Sequence, residues 1–341
     1  MDFCRSCSLG GSVHRLPHCL RLTTSNPSPP GGLPSPGRLF RDRRALPRPE
    51  TGVAPRSEAD LPWVRALRGH WPEYAVEAGF LALFVLAAGL VSAWMEAPST
   101  VFPGAPQEPA LRRLLAGVAM GLALMAMIYS PWGRRSGTHL NPALTLAYLR
   151  LGKIGRPDAL FYILAQIAGA TVAVTLLRWG ALMPAAAQPA LLASSIGPSD
   201  ERVAFATALV LAATAMWLIL YTSNHARWYR WTGVLVGLLF MLVVACAAPL
   251  SGFGINVARL LAVDATAGIT AAHWVNLVPP LLGMQLAVEG WRLASRRPQV
   301  LCAKLAHNTH GRCIFRCQHP YQSRALALEA LRRSTASTGR G

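Results

Sequence analysis

Charge is scarce in this chain: 14% of its 341 residues are Asp, Glu, Lys or Arg, and only two of the 33 basic residues, Lys153 and Lys304, are lysines. A soluble domain carries about 25% charged residues, so an ordinary water-soluble globule is excluded, and the 52% apolar content points to burial in a bilayer. There is no G-x-x-x-x-G-K-[ST] loop to couple nucleotide hydrolysis to work. The apolar stretches hold no H-E-x-x-H helix and no carboxylate pair. The chain is therefore read as not an enzyme, and no cofactor is expected. Cysteine is too sparse for a disulfide scaffold: there are seven, six lie outside the apolar stretches, and the one C-x-x-C, Cys4 to Cys7, has no second pair at zinc-ribbon spacing.

What is present is apolar length. Six stretches, at about 74–94, 112–129, 159–177, 203–221, 232–249 and 274–294, approach the roughly 20 residues that cross a hydrocarbon core about 30 Å thick. The net charge of +18 does not point to nucleic acid, because the basic residues gather in the tails and in alternate loops. Arg65 and Arg68 precede the first stretch; Arg134, Arg135, Arg150, Lys153 and Arg156 follow the second; Arg227 and Arg230 separate the fourth from the fifth; Arg292, Arg296 and Arg297 end the sixth. The loops from Met95 to Ala110 and from Gly180 to Glu201 have no Lys or Arg. By the positive-inside bias the basic loops are cytoplasmic. An integral protein of a bacterial-type plasma (inner) membrane, with both termini cytoplasmic, is expected.

Residues 1–60, with nine prolines and nine arginines, read as a disordered basic tail, with an organellar transit peptide as the alternative. Residues 61–297 form the membrane domain, with repeats at about 74–178 and 203–294. Residues 298–341 form a cytoplasmic tail carrying Cys302, His307, His310, Cys313, Cys317 and His319. These are zinc-ligand types without a standard C-x-x-C pair. No metal is assigned from the sequence, and the six remain weak candidates.

Two short segments repeat one frame: Ser136-Gly137-Thr138-His139-Leu140-Asn141-Pro142-Ala143 and Ser251-Gly252-Phe253-Gly254-Ile255-Asn256-Val257-Ala258-Arg259. Each follows the second apolar stretch of its half and precedes an apolar run too short to span. Such a run is read as a half-helix entering the membrane, and a pair in corresponding halves marks a permeation site. Non-helical backbone at membrane depth needs protein cover or water, so Gly137, Thr138, His139, Leu140, Gly252, Gly254 and Ile255 are expected to line an aqueous path. Asn141 and Asn256 then stand at helix N-caps, the side-chain oxygen accepting from a first-turn amide and the NH₂ left to donate. Pro142 suits the first helical position. Two half-helices meeting at mid-membrane would converge their positive dipole ends, repelling cations and turning a passing water's oxygen toward both asparagines.

At these residues the chain resembles the major intrinsic protein family, the aquaporins and glycerol facilitators, from about Glu77 to Gly283. Ser136 to Ala143 resembles the family's first signature, and Ser251 to Arg259 the second. Glu77 is similar to the buried acid of the first span, Ala165-Gln166 with Gly169-Ala170 to the third, and His273-Trp274-Val275 with Pro280-Leu281-Leu282-Gly283 to the sixth. The resemblance implies an all-α membrane fold of six tilted helices and two re-entrant half-helices in an inverted repeat, a pore through each subunit, and a homotetramer. It implies Glu77 as an acceptor for loop amides, Arg259 as the constriction arginine, and Val244, Phe253 and either Met120 or Gly121 as the rest of that ring.

Two departures stand out: Val257 replaces a proline, and Thr207 and Ala208 occupy the neighbourhood of an acid in the fourth span. The implied function is passive passage of water and small neutral solutes, with protons and ions excluded. The alternatives are a glycerol or polyol facilitator with poor water selectivity, and a non-conducting structural or sensing membrane protein with a metal-binding tail.

Overall fold

The computed structural model describes residues 62–96, 106, 108–179, 200–225, 227–247, 250, 255–267, 273–294, 300–307 and 313–318. The basic tail to residue 61 and the candidates Gly252, Phe253, Gly254, His310 and His319 lie outside the described residues.

The described residues contain helices and no strands. In chain order they are α1 (Pro62–Glu96), α2 (Pro109–Tyr129), α3 (Pro131–Ser136), α4 (Pro142–Arg150), α5 (Arg156–Trp179), α6 (Glu201–Ser223), α7 (Thr232–Leu242), α8 (Val257–Ala267) and α9 (His273–Ala294). α7 runs on through a π-helical turn at Val243–Ala247. Five of these segments, α1, α2, α5, α6 and Tyr229–Ala247, are long and apolar enough to cross a membrane. The sixth expected span, α9, has 22 residues. At 1.5 Å per residue it is about 33 Å long. Its apolarity is diluted by Asn276, Pro279, Pro280, Gln285 and Glu289.

The outward faces carry an apolar belt that includes Leu83, Leu122, Leu164, Val172, Val210 and Leu286, all exposed. Water would not leave so many large apolar groups uncovered in contiguous faces, but lipid tails would. The basis is composition: with no polar stripe to turn outward, each span meets hydrocarbon on one face and protein on the other.

The two halves pack in the same way. α1 runs against α5, and α6 against α9. The half-helix α8 of the second half lies against α5, and α4 of the first half against α9. Close approach depends on small residues. A Cβ at Gly169 of α5 would fall on the Ala78 carbonyl of α1, and one at Gly283 of α9 on the Leu209 carbonyl of α6. The half-helices α4 and α8 have nine and 11 residues. At about 14 and 16 Å each covers roughly half a bilayer core.

Candidate functional site at the meeting of two half-helices

The site is built on a buried acid. Glu77, on α1, is fully buried, and its carboxylate is held on every side. Oε1 accepts from the Ser136 hydroxyl at 2.9 Å and the His139 amide at 3.0 Å. Oε2 accepts from the Leu140 amide at 2.8 Å and Gln166 Nε2 at 3.0 Å. These bonds hold a chain path that local preference opposes. Thr138 and Leu140 have φ of 56° and 50°, and Gly137 has 94°. A non-glycine residue in the left-handed region costs on the order of 1–3 kcal/mol, and hydrogen bonds to a charged group, each about 1.5–3 kcal/mol, offset that. The turn leads the chain into Asn141, whose extended backbone (φ −150°) starts α4.

Both asparagines cap their helices and also reach across to the other half. Asn141 Oδ1 accepts from the Ala143 amide at 3.0 Å. Asn256 Oδ1 accepts from the amides of Ala258 at 3.1 Å and Arg259 at 3.4 Å. One hydrogen of each side-chain NH₂ is used between the halves: Asn141 Nδ2 donates to the Ile255 carbonyl at 2.9 Å, and Asn256 Nδ2 to the Leu140 carbonyl at 2.7 Å. Each asparagine thus bonds the residue preceding its counterpart, a pseudo-twofold pair of contacts tying α4 to α8 end to end. Among the described residues one N–H per asparagine is committed to protein, a division that spacing alone does not supply. Pro142 and Ala143 begin α4, and Val257 and Ala258 begin α8; all four are buried or packed in the half-helices and none lines the cavity beside them.

That cavity has a volume of about 150 Å³, room for several waters. Thr138, His139, Leu140, Asn141, Ile255, Asn256 and Arg259 line it. Its remaining walls are nearly all apolar: Phe84, Val85 and Ala88 of α1, Met120 and Leu124 of α2, and Val236, Phe240 and Val244 of α7. Of the alternative pair, Met120 faces the cavity, while Gly121 faces α7, where an added Cβ would lie 2.7 Å from the Gly237 carbonyl. Gly137 does not line the cavity; a Cβ there would meet the Phe315 ring at 2.9 Å. Phe84 and Phe240, absent from the sequence-derived ring, meet edge to face at 5.4 Å. The signal for Phe240 was its place one turn before Val244, since residues four apart share a helix face. On α6, Thr207 is half-buried and Ala208 buried, and neither offers a carboxylate.

The C-terminal segment departs from a solvated tail. Val300, Leu301, Cys302, Ala303, Lys304, Leu305 and Ala306 are all buried. They pack beneath the first half-helix. His139 Nε2 lies 2.9 Å from the Ala303 carbonyl and must donate to it, and the Leu305 amide donates to the Gly137 carbonyl at 3.2 Å. His139 is stacked between Tyr148 and Phe315, with ring centroids 5.1 and 5.3 Å away. Leu305 joins the cavity wall. Of the six Cys and His candidates in this region, Cys302, His307, Cys313 and Cys317 come together.

Similarity to known proteins spans the membrane region. The family description "Major intrinsic protein" matches residues 74–289. Aquaporin A of Dictyostelium discoideum is 31% identical over 234 residues, covering 67% of this chain and 79% of the relative. The lens fiber major intrinsic protein of Gallus gallus is 30% identical over 250 residues, 71% and 86% of the two chains. A glycerol uptake facilitator protein-like relative from Lactiplantibacillus plantarum is 33% identical over 182 residues, 51% and 82% of the two. Among solved structures, the aquaglyceroporin from Plasmodium falciparum aligns with a TM-score of 0.49 at 21% identity, over 65% of this chain and 95% of that one.

Proposed function

The chain belongs to the major intrinsic protein family of membrane channels, and from that premise we propose that the cavity at Asn141 and Asn256 is the midpoint of a passive pore for water and small neutral solutes. The observation that carries the reading is the reciprocal pair of bonds from Asn141 to Ile255 and from Asn256 to Leu140. It holds two helix N-termini, each equivalent to roughly half a positive charge, against one small chamber. The second hydrogen of each asparagine NH₂ serves a passing water or hydroxyl oxygen. A water held so points its own hydrogens away in both directions, which breaks a proton wire, and the dipole ends together with Arg259 repel cations. Arg259 adds fixed donors that replace lost hydration.

Selectivity follows from the walls. Apart from the asparagines, Arg259, Thr138, His139 and Ser92, the chamber's walls are apolar, with Phe84, Met120, Phe240 and Val244 among them. An apolar wall facing a few fixed donors suits a molecule with one carbon edge and one hydroxyl edge, so glycerol-sized solutes are read as permeants beside water. The basic loops support cytoplasmic termini and residence in a plasma membrane, and family resemblance supports a homotetramer.

The test is stopped-flow light scattering on proteoliposomes exposed to osmotic steps of sucrose, glycerol and urea. The expected result is faster water exit and faster glycerol entry than in empty vesicles, with no proton flux under an imposed pH gradient. Phe240→Ala should raise glycerol entry several-fold while changing water exit less. Rates equal to those of empty vesicles for every solute would refute the channel reading.

A further inference from the structure

Residues 300–307 and 313–318 contain neither helix nor strand, yet much of this stretch is buried. Fixing irregular backbone costs about 1–2 kcal/mol per residue; packing of Val300, Ala303, Leu305 and Phe315 into the main core offsets part of that, and a metal cross-link would add to it. Four side chains stand where such a link would be. Cys302 Sγ lies 3.5 Å from Cys313 Sγ, His307 Nε2 lies 3.0 Å from Cys317 Sγ, and all four ligand atoms fall within 4.8 Å of one another. A disulfide needs an S–S separation near 2.05 Å, so the 3.5 Å pair is not bonded. A tetrahedral zinc ion with Zn–S about 2.3 Å and Zn–N about 2.0 Å sets its ligand atoms roughly 3.5–3.8 Å apart, within about 0.5 Å of the two pairs here.

The charge around the cluster agrees. Three thiolates and one neutral imidazole on a divalent ion leave a net charge of −1. Both lysines of the chain are placed to meet it: Lys153 is in electrostatic reach of Cys302 and Cys317, and buried Lys304 of Cys313. Lys153 also ties the segment to the membrane domain, because its Nζ donates to Gln318 Oε1 at 3.1 Å and the Arg316 amide donates to its carbonyl at 2.9 Å. On the other side, the Leu301 amide donates to Asn224 Oδ1 at 2.6 Å.

We propose that Cys302, His307, Cys313 and Cys317 form a tetrahedral zinc site that locks this segment over the cytoplasmic end of the cavity, with Leu305 as its stopper. The site itself rests only on the four ligands; the stopper rests on reading the cavity as the pore. Cys302 and His307 flank Leu305 at three and two residues' distance, so holding the two ligands on one ion fixes the short loop that carries Leu305 beside Gly137. Thiolate with imidazole selects a borderline-soft ion, and a closed four-ligand set is that of a structural site.

The full chain, purified under reducing conditions and stripped with a chelator, is titrated with zinc and separately with cobalt(II), and permeability is measured in both states. About one zinc per chain is expected, with a tetrahedral cobalt spectrum showing thiolate charge transfer, and at least tenfold weaker binding in Cys313→Ser and Cys317→Ser. Chelated vesicles should pass water several-fold faster than zinc-loaded ones, and Leu305→Ala should pass it fast in both states. Because chelation uses the unaltered chain, the result does not depend on how a variant folds. Metal well below stoichiometry, or an octahedral cobalt spectrum, would overturn the site. Stoichiometric zinc with equal permeability in both states would overturn the stopper. Zinc bound but no permeability in any form, Leu305→Ala included, would leave the site standing and sink the pore reading instead.

Discussion

Replacing Glu77 by Gln removes one charge from the centre of the site without changing its volume, and its cost can be worked bond by bond. The carboxylate accepts four hydrogen bonds, two on each oxygen. A glutamine that keeps its oxygen toward Ser136 and His139 retains those two, now with a neutral acceptor, at a loss of about 1 kcal/mol each, since charge-assisted bonds are roughly twice as strong. Its nitrogen then faces two donors. Gln166 can flip, because its Oε1 is buried without a hydrogen-bond partner and can accept from the new amide. The Leu140 amide cannot turn, and an orphaned buried donor costs about 1–3 kcal/mol. The sum is roughly 3–5 kcal/mol, concentrated on a turn whose Thr138 and Leu140 are already in the left-handed region. For a chain of this size that is a fall in Tm on the order of 10 °C. The assay is thermal unfolding in detergent beside stopped-flow water permeability, which should drop with the loss of a fixed Leu140 carbonyl for Asn256 to bond. Glu77→Gln with unchanged Tm and permeability would refute the claim that this carboxylate holds the first half-helix entry.

Asn141→Ala and Asn256→Ala should each lower stability by about 1 kcal/mol through the lost cap, and each should cut water permeability at least fivefold. The double variant should cost less than the sum of the two, because both bonds secure the same junction; additive losses in a double-mutant cycle would count against the coupled pair. Gly169→Ala places a methyl on the Ala78 backbone, so α1 and α5 must separate. Overpacking of this kind costs about 1–3 kcal/mol. Purified yield and Tm should both fall, whereas Gly152→Ala, where a Cβ meets nothing within 4 Å, should lose only what its φ of 69° costs.

Much of the molecule was legible in the sequence because the relevant physics is local or periodic. The low charge and six long apolar stretches dictate helices in a bilayer, since only helices satisfy their own backbone over that length. The doubled Ser-Gly frame with its asparagines dictates two half-helix starts, since an N-cap needs only its own first turn.

Tertiary structure decided everything that depends on distant partners. Asn141 and Asn256 use one side-chain hydrogen each on the opposite half, across more than 110 residues of chain. Met120 rather than Gly121 faces the chamber because α2 packs on α7 at its glycine edge. Phe84 and Phe240 enter the wall only when folding sets α1 and α7 on facing sides of the chamber. The C-terminal segment shows the limit most plainly: its cysteines and histidine have no standard spacing, and only folding beneath Gly137 and His139 gathers four of them at one point. A cap or a span is written in a few neighbouring residues, but a meeting of side chains from remote segments is set by packing, which one-dimensional spacing does not carry.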